Sequence, residues 1–434
     1  MNFSDFHSVE AYLNSLINYE QTFPLGGACD RLKLEPSLQA AARLDLALRL
    51  PRAVHVAGTK GKGSTVAFLE ALLAGQARVL SFTSPHIIHV KERVRCNGEV
   101  LSDELWQKGV ACIADELSRE PPVQLTYFET VFVFYLWAAR ELSTDVHVVE
   151  VGLGGRWDAT NILQDTLAVI TTVDFDHTEI LGTTLEAIAG DKAGIIKPRR
   201  PLVIGRQAEE ALRTILRAAD EQHAAPVMVF RADFGWTAED GERFRYESPE
   251  FHADHLTLSA LGRHQHDNAA TAIRVARYLC PHLTAEEIRA RLALCIIPGR
   301  QQILAGRPEV LVDVAHNPIS FRALAETLGE RFAGRRILAV AGMMKDKDAR
   351  ASLSAIRPFV SELLAVELNS PRARPAQEIR EEAEALGMNA RCVLVRDDAF
   401  SALHSAGDHD LGLVAGSFYL VGDYLLWRQR AGIA

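Results

Sequence analysis

The chain has 434 residues, 48% hydrophobic and 24% charged, enough for two cores, since single cores stop growing near roughly 250–300 residues. A formal net charge of -9 and a pI of about 5.9 exclude the broad basic footprint of a nucleic-acid binder, so an anionic ligand must meet cations or metal gathered locally. The six cysteines (Cys29, Cys96, Cys112, Cys280, Cys295 and Cys392) include no CxxC pair, which argues against a zinc site or disulfide scaffold and for reduced thiols in a cytoplasm. The opening MNFSDFHSVEAYLNSL has no basic segment followed by an apolar run, so it does not read as a signal peptide.

After a leading region of helical character, residues 53–57 predict a short buried strand that runs through glycines into an apolar helix over 64–75. The apolar run at 131–139 is shorter than the about 20 residues a bilayer requires and predicts a buried helix. Further strands are expected at 79–82, 145–151, 167–173 and 202–205, apolar at nearly every position as in a parallel sheet covered on both faces. Helices at 184–196 and 207–219 fall between strands, which predicts a doubly wound α/β domain. Residues 230–261 break the rhythm as a small antiparallel excursion, and helices over 266–279 and 284–294 follow. Pro298-Gly299 marks a turn, so the domains are set at 1–297 and 298–434. In the second, strands at 310–314, 337–341, 362–366, 392–395 and 411–415 alternate with helices, predicting a smaller Rossmann-like domain. A cleft between two such domains is the natural place for a reaction.

Gly58-Thr-Lys-Gly-Lys-Gly-Ser-Thr65 follows a strand and opens a helix, the setting of a phosphate loop. Its amides and the helix N-terminus would face phosphate oxygens, and Lys62 would reach the terminal phosphates. The strict formula puts Ser or Thr directly after the lysine, whereas here Gly63 precedes Ser64. Two lysines with no acidic neighbour nevertheless favour a nucleotide site over an ordinary glycine turn. Glu150 ends the run Val146-His-Val-Val-Glu-Val151, where a carboxylate points into the ligand crevice of an α/β sheet and suits magnesium, although Arg156 could pair with it instead. His177 and Ser84 also follow strands, the one as plausible a structural histidine as a ligand, the other competing with a Ser-Pro turn. Lys192, next to Asp191 on a helix, reads by composition as an ordinary surface lysine.

Together these segments resemble the folylpolyglutamate synthase/dihydrofolate synthase family within the Mur-type ligase group. The likeness rests on His55-Val-Ala-Gly-Thr-Lys-Gly-Lys-Gly-Ser64, Thr83-Ser-Pro-His86, Leu125-Thr-Tyr-Phe-Glu129 and Glu150-Val-Gly-Leu-Gly-Gly-Arg-Trp-Asp-Ala-Thr-Asn161. It continues through Asp176-His-Thr-Glu-Ile-Leu-Gly182, Asp191-Lys-Ala-Gly194, Pro298-Gly-Arg300, Asp313-Val-Ala-His-Asn-Pro318 and Gly416-Ser-Phe418.

The resemblance implies roles that the residues alone do not. Ser84, Glu150 and His177 match the family's magnesium ligands, with Ser64 near the metal, and Lys192 matches a lysine that is carbamylated. Thr59, Lys60, Gly61, Lys62, Gly63 and Ser64, with Asn268, Arg300 and Asp313, match nucleotide-binding positions. His316 and Ser417 match positions where glutamate is expected. Thr126, Tyr127, Phe128, Trp157, Asp158 and Ala159 match the pterin region. Lys60 departs from the asparagine, and Trp157 from the leucine, that many members carry.

The implied activity is ATP-dependent addition of L-glutamate to dihydropteroate, to folyl-glutamates, or to both, through an acyl phosphate, with Lys62 and His316 as catalytic candidates and ATP and magnesium as cofactors. The protein is expected to be a cytoplasmic monomer without nucleic-acid or membrane partners. A cell-wall Mur ligase would need a leading domain for a uridine diphosphate, and the loop begins only at Gly58. A P-loop kinase or ATPase would leave the second domain and Asp313-Val-Ala-His316 unexplained. A non-catalytic nucleotide-binding regulator would have no need to keep lysine, carboxylate and histidine together.

Overall fold

The computed structural model describes residues 3–19, 33–405 and 410–433, and Cys29 lies outside them. The chain divides into two compact units: Met1–Pro85, Val90–Thr257 and His266–Cys295 form the first, and His86–His89, Leu258–Gln265 and Ile296–Ala434 the second.

The first unit is built on eight strands: β1 (Ala53–Ala57), β2 (Val79–Phe82), β3 (Val94–Cys96), β4 (Glu99–Val100), β5 (Val146–Glu150), β6 (Leu167–Ile170), β7 (Leu202–Ile204) and β8 (Val227–Val229). Their order is β4-β3-β2-β5-β1-β6-β7-β8, parallel from β2 to β8. Every residue of β1, β2, β5, β6 and β7 is buried, because helices cover both faces, and this is why these strands read as apolar at most positions. One face packs Phe82 and Val149 against Trp106, Phe132 and Phe134 of the helices Asp103–Ser118 and Tyr127–Leu142. The other packs Ala168 and Ile170 against Ile188, Ala211 and Ile215. Each such large side chain contributes about 1.5–3 kcal/mol by leaving water.

The apolar run at 131–139 lies inside the buried helix Tyr127–Leu142, as its length suggested. The expected antiparallel excursion is the three-stranded sheet β9 (Gly235–Ala238), β10 (Phe244–Ser248) and β11 (Phe251–Leu256). Sequence reading missed the β3–β4 hairpin, turned by Asn97 (φ 52°) and Gly98 (φ 83°), and the edge strand β8.

The second unit holds β12 (Gln302–Leu304), β13 (Glu309–Asp313), β14 (Ile337–Ala341), β15 (Val360–Ala365), β16 (Ala390–Cys392) and β17 (Leu411–Ala415), in the order β12-β13-β17-β14-β15-β16. Only β12 is antiparallel to its neighbour. Alternate residues of β13 go to opposite cores, Leu311 to one and Val310 and Val312 to the other. The strand expected over 392–395 is corrected: β16 ends at Cys392, and Leu394 is 94% exposed. The one neighbour of β16, β15, ends at Ala365, which still accepts Val393 N–H at 2.9 Å, so the residues after Val393 have no strand to pair with.

Candidate active site

In the first unit, β5 and β6 flank β1, with Val56 opposite Glu150 and Ala57 opposite Ile170. The segments leaving these three strands therefore emerge together at one end of the sheet, where parallel α/β sheets bind ligands. The glycine-rich turn is moored to the segment after β6. Thr59 N–H and Lys60 N–H both donate to Thr172 O, at 2.9 and 3.1 Å, and the Thr171 hydroxyl donates to Lys60 O at 2.7 Å.

Two glycines are required for that mooring. At Gly58 (φ 151°) a Cβ would stand 1.9 Å from Thr171 Oγ1, and at Gly61 (φ 83°) 2.1 Å from Asn268 Oδ1. Gly61 caps the helix Lys62–Leu73, whose first amides have no intrahelical acceptor and so face outward as an anion cradle. Lys62 Nζ folds back onto Gly58 O at 3.0 Å, and Lys60 Nζ pairs with Asp174 Oδ2 at 3.0 Å.

Glu150 is 4% exposed, accepts the Ser84 amide at 3.1 Å, and its Oε2 lies 3.5 Å from where a Gly63 Cβ would be. The loop's helix and the candidate metal carboxylate thus face each other, with Ser84 alongside. His177 is in left-handed backbone (φ 49°) with its side chain 43% exposed, 4.0 Å from Asp176. Among the described residues no group of three or more His, Cys, Asp or Glu is set to hold a metal ion.

Lys192 overturns its composition-based reading. It is 4% exposed, and burial first, then the charge of Lys62, pulls its pKa down to about 7, although Asp191, Asp176 and Asp158 act against the shift. Gly155 permits the close approach, since a Cβ there would lie 2.9 Å from Lys192 Cα. A surface lysine was expected because a helical position next to an aspartate carries no sign of what covers it.

In the region expected to hold the pterin, Thr126 and Glu129 form a capping box that starts the helix Tyr127–Leu142. Tyr127 is buried beneath the Arg93 guanidinium. Phe128 lies edge-on to Phe82, with ring centroids 5.6 Å apart, and 2.6 Å from where a Gly152 Cβ would be. Trp157 is 48% exposed beside buried Asp158 and Ala159. Asn268, 6% exposed, meets the glycine-rich turn at Gly61.

In the second unit Asp313 is buried at the end of β13 and accepts the amides of Gln301 (3.2 Å) and Ala315 (2.6 Å). Burial pushes its pKa up to about 6 against the pull of the Arg300 charge, and Arg300 itself lies over the Phe418 ring. His316 Nδ1 is 3.0 Å from Val314 O, and the Ser417 hydroxyl accepts Tyr419 N–H as the cap of the helix Phe418–Arg430.

Sequence reasoning missed Thr171, Thr172 and Asp174, which tie down the loop, and Gln207, whose amide donates to Thr171 O at 2.7 Å and accepts Val173 N–H at 3.0 Å. The only available signal was their position just past strands β6 and β7.

The Mur ligase middle-domain family matches residues 56–276, and the Mur ligase glutamate ligase domain matches residues 299–418. The dihydrofolate synthase/folylpolyglutamate synthase of Bacillus subtilis is 36% identical over 403 residues, covering 89% of this chain and 92% of that protein. The solved structure of Escherichia coli FolC in complex with DHPP and ADP superposes with a TM-score of 0.86 at 31% identity, covering 98% of both chains. A bifunctional folylpolyglutamate synthase/dihydrofolate synthase with Mn, AMPPNP and L-glutamate bound superposes with a TM-score of 0.84 at 31% identity, again over 98% of both.

Proposed function

The chain belongs to the dihydrofolate synthase/folylpolyglutamate synthase family of Mur-type ligases, and from that premise we propose that it joins L-glutamate to dihydropteroate and to the γ-carboxylate of folyl-glutamates at the expense of ATP. The observation that carries this reading is the glycine turn at Gly58 and Gly61, which sets a helix N-terminus opposite the buried carboxylate of Glu150, with Lys62 as that helix's first residue. Leu125-Thr-Tyr-Phe-Glu129, at the pterin region, favours both activities over chain extension alone.

A carboxylate does not condense with an amine unaided, because oxide is a poor leaving group. An oxygen of the acceptor carboxylate attacks the γ-phosphorus of ATP, ADP leaves, and an acyl phosphate forms. The glutamate amine then attacks the acyl carbon, and the C–O bond to phosphate breaks. Lys62 leaves the Gly58 carbonyl for the phosphates, and the loop amides hold the transferring group in line. The amine's proton passes to His316, whose Nδ1–H is directed at the Val314 carbonyl, so that Nε2 is the basic nitrogen.

The oxygen donors Ser64, Ser84 and Glu150 suit a hard cation, and with His177 and a carbamylated Lys192 they would hold magnesium. When bound, the metal neutralises charge between phosphates and carboxylate. Lys192 suits carbamylation because a buried amine titrating at about 7 is partly neutral at physiological pH, and only the neutral amine attacks carbon dioxide. Asn268, Arg300 and Asp313 bind nucleotide, and Ser417 with His316 receives glutamate. Thr126, Tyr127, Phe128, Trp157, Asp158 and Ala159 form the pterin site. No helix among the described residues is long and apolar enough to cross a membrane, and a cytoplasmic monomer fits this chemistry.

The test is incubation with ATP and labelled glutamate, offering dihydropteroate, tetrahydrofolate or neither. Label should enter both acceptors, with ADP formed in step. ADP release that ignores the acceptor would instead support an ATPase.

A further inference from the structure

His55, on the strand that delivers the phosphate loop, is fully buried, and the mechanism above leaves it unused. Its Nε2 is 2.8 Å from the hydroxyl of Thr160, which is also fully buried. That hydroxyl donates its single proton to Asp158 Oδ1, so it accepts from His55, and the imidazole carries its proton on Nε2. Asp158 Oδ1 also accepts Thr160 N–H at 3.0 Å, and Oδ2 accepts Leu153 N–H at 2.9 Å. These bonds fix the plane of a carboxylate that is 5% exposed and belongs to the turn leading away from Glu150. Among the described residues the Thr160 side chain makes no other hydrogen bond, so Thr160 and His55 stand behind Asp158 as a two-step chain from β1.

We propose that His55 and Thr160 are positioning residues for pterin recognition: the imidazole N–H orients the Thr160 hydroxyl, and that hydroxyl holds the Asp158 carboxylate in the rotamer that accepts the pterin's N–H donors. The inference rests on the assignment of Asp158 to the pterin site. Burial raises the Asp158 pKa, and the bonds from Thr160 act against that shift. Burial also pulls the His55 pKa down to about 3, so the imidazole stays neutral and adds no charge to the chain. Among the described residues His55 Nδ1 has no hydrogen-bond partner, which leaves Nε2 as the ring's one anchored nitrogen.

The experiment measures KM for dihydropteroate and for ATP in the full-length enzyme. Thr160→Val keeps the shape and removes the hydroxyl. It should raise the dihydropteroate KM by about ten-fold or more, as loss of a hydrogen bond to a charged group does, and leave the ATP KM within about two-fold. Thr160→Ser should restore most of the difference. His55→Leu should act like Thr160→Val, and His55→Gln, which keeps an N–H donor, should recover part of the loss.

An unchanged dihydropteroate KM in both Thr160→Val and His55→Leu overturns the proposal, as does an equal rise in both KM values. If Thr160→Val does not fold, the His55→Leu and His55→Gln pair decides the same question. Asp158→Asn separates the two layers. A normal dihydropteroate KM in that variant removes Asp158 from the pterin site, whereas a raised one beside a normal Thr160→Val removes only the chain behind it.

Discussion

At the scale of single residues, the glycine-rich turn is specified by what it forbids. Gly61→Ala would force an alanine into left-handed backbone, at roughly 1–2 kcal/mol, and drive its Cβ into Asn268. The ATP KM should rise by about ten-fold or more. A normal ATP KM in Gly61→Ala would mean that the turn does not bind nucleotide. Lys62→Ala should leave a folded protein with less than about a hundredth of the ligase rate.

Lys192 marks the limit of residue-level reading. Its neighbours in sequence say "surface", and its neighbours in space pull it down to about 7. With bicarbonate removed, activity should fall, and fall further as pH drops below about 7 and the amine is protonated. Lys192→Ala should be inactive and regain part of the rate from added short carboxylates. Indifference to bicarbonate and an active alanine variant would sink the carbamate.

At the scale of elements, the helix Tyr127–Leu142 carries the proposed pterin region at its N-terminus and a wall of aromatic side chains along its length. Gly109 on the helix Asp103–Ser118 lets the two pack closely, because a Cβ there would stand 2.6 Å from both Phe134 and Trp137. Gly109→Ala gains about 1 kcal/mol in helix propensity and loses about 1–3 kcal/mol to overpacking, and overpacking wins because the ring atoms are held in a stack. Urea unfolding should therefore show a net loss with the ATP KM unchanged; a net gain would mean the aromatic wall yields easily.

Such elements were legible wherever both faces are covered: β1, β2, β14 and β17 fall on the residues expected of them. The pieces missed are short and at edges. Asn97-Gly98 was a hairpin signal in plain view, whereas the three residues of β8 and of β12 carry too little pattern to separate from loop. The run 392–395 fails for the opposite reason, being apolar enough for a strand but running past the end of the one that could pair with it.

At the scale of the whole molecule, the two units should answer acid with opposite signs. Burial pulls His55 down to about 3 and His147 to about 4 from the ordinary 6.5. As pH falls below 6.5 the unfolded chain takes up these protons first. The first unit therefore loses stability, by up to about 1.4 kcal/mol per pH unit for each histidine, until the folded values are reached. Asp313 in the second unit is pushed up from 3.8 to about 6, so there the folded form takes the proton first. Acidification from about 6 towards 3.8 then adds stability, by up to about 1.4 kcal/mol per pH unit. Hydrogen exchange at about pH 7 and about pH 5, corrected for intrinsic rates, should show protection falling in β1 and β5 by more than it changes in β13 and β17. His55→Gln with His147→Gln should flatten the first response and leave the second. Equal losses in both units would show that paired surface carboxylates, not these buried groups, set the acid limit of the molecule.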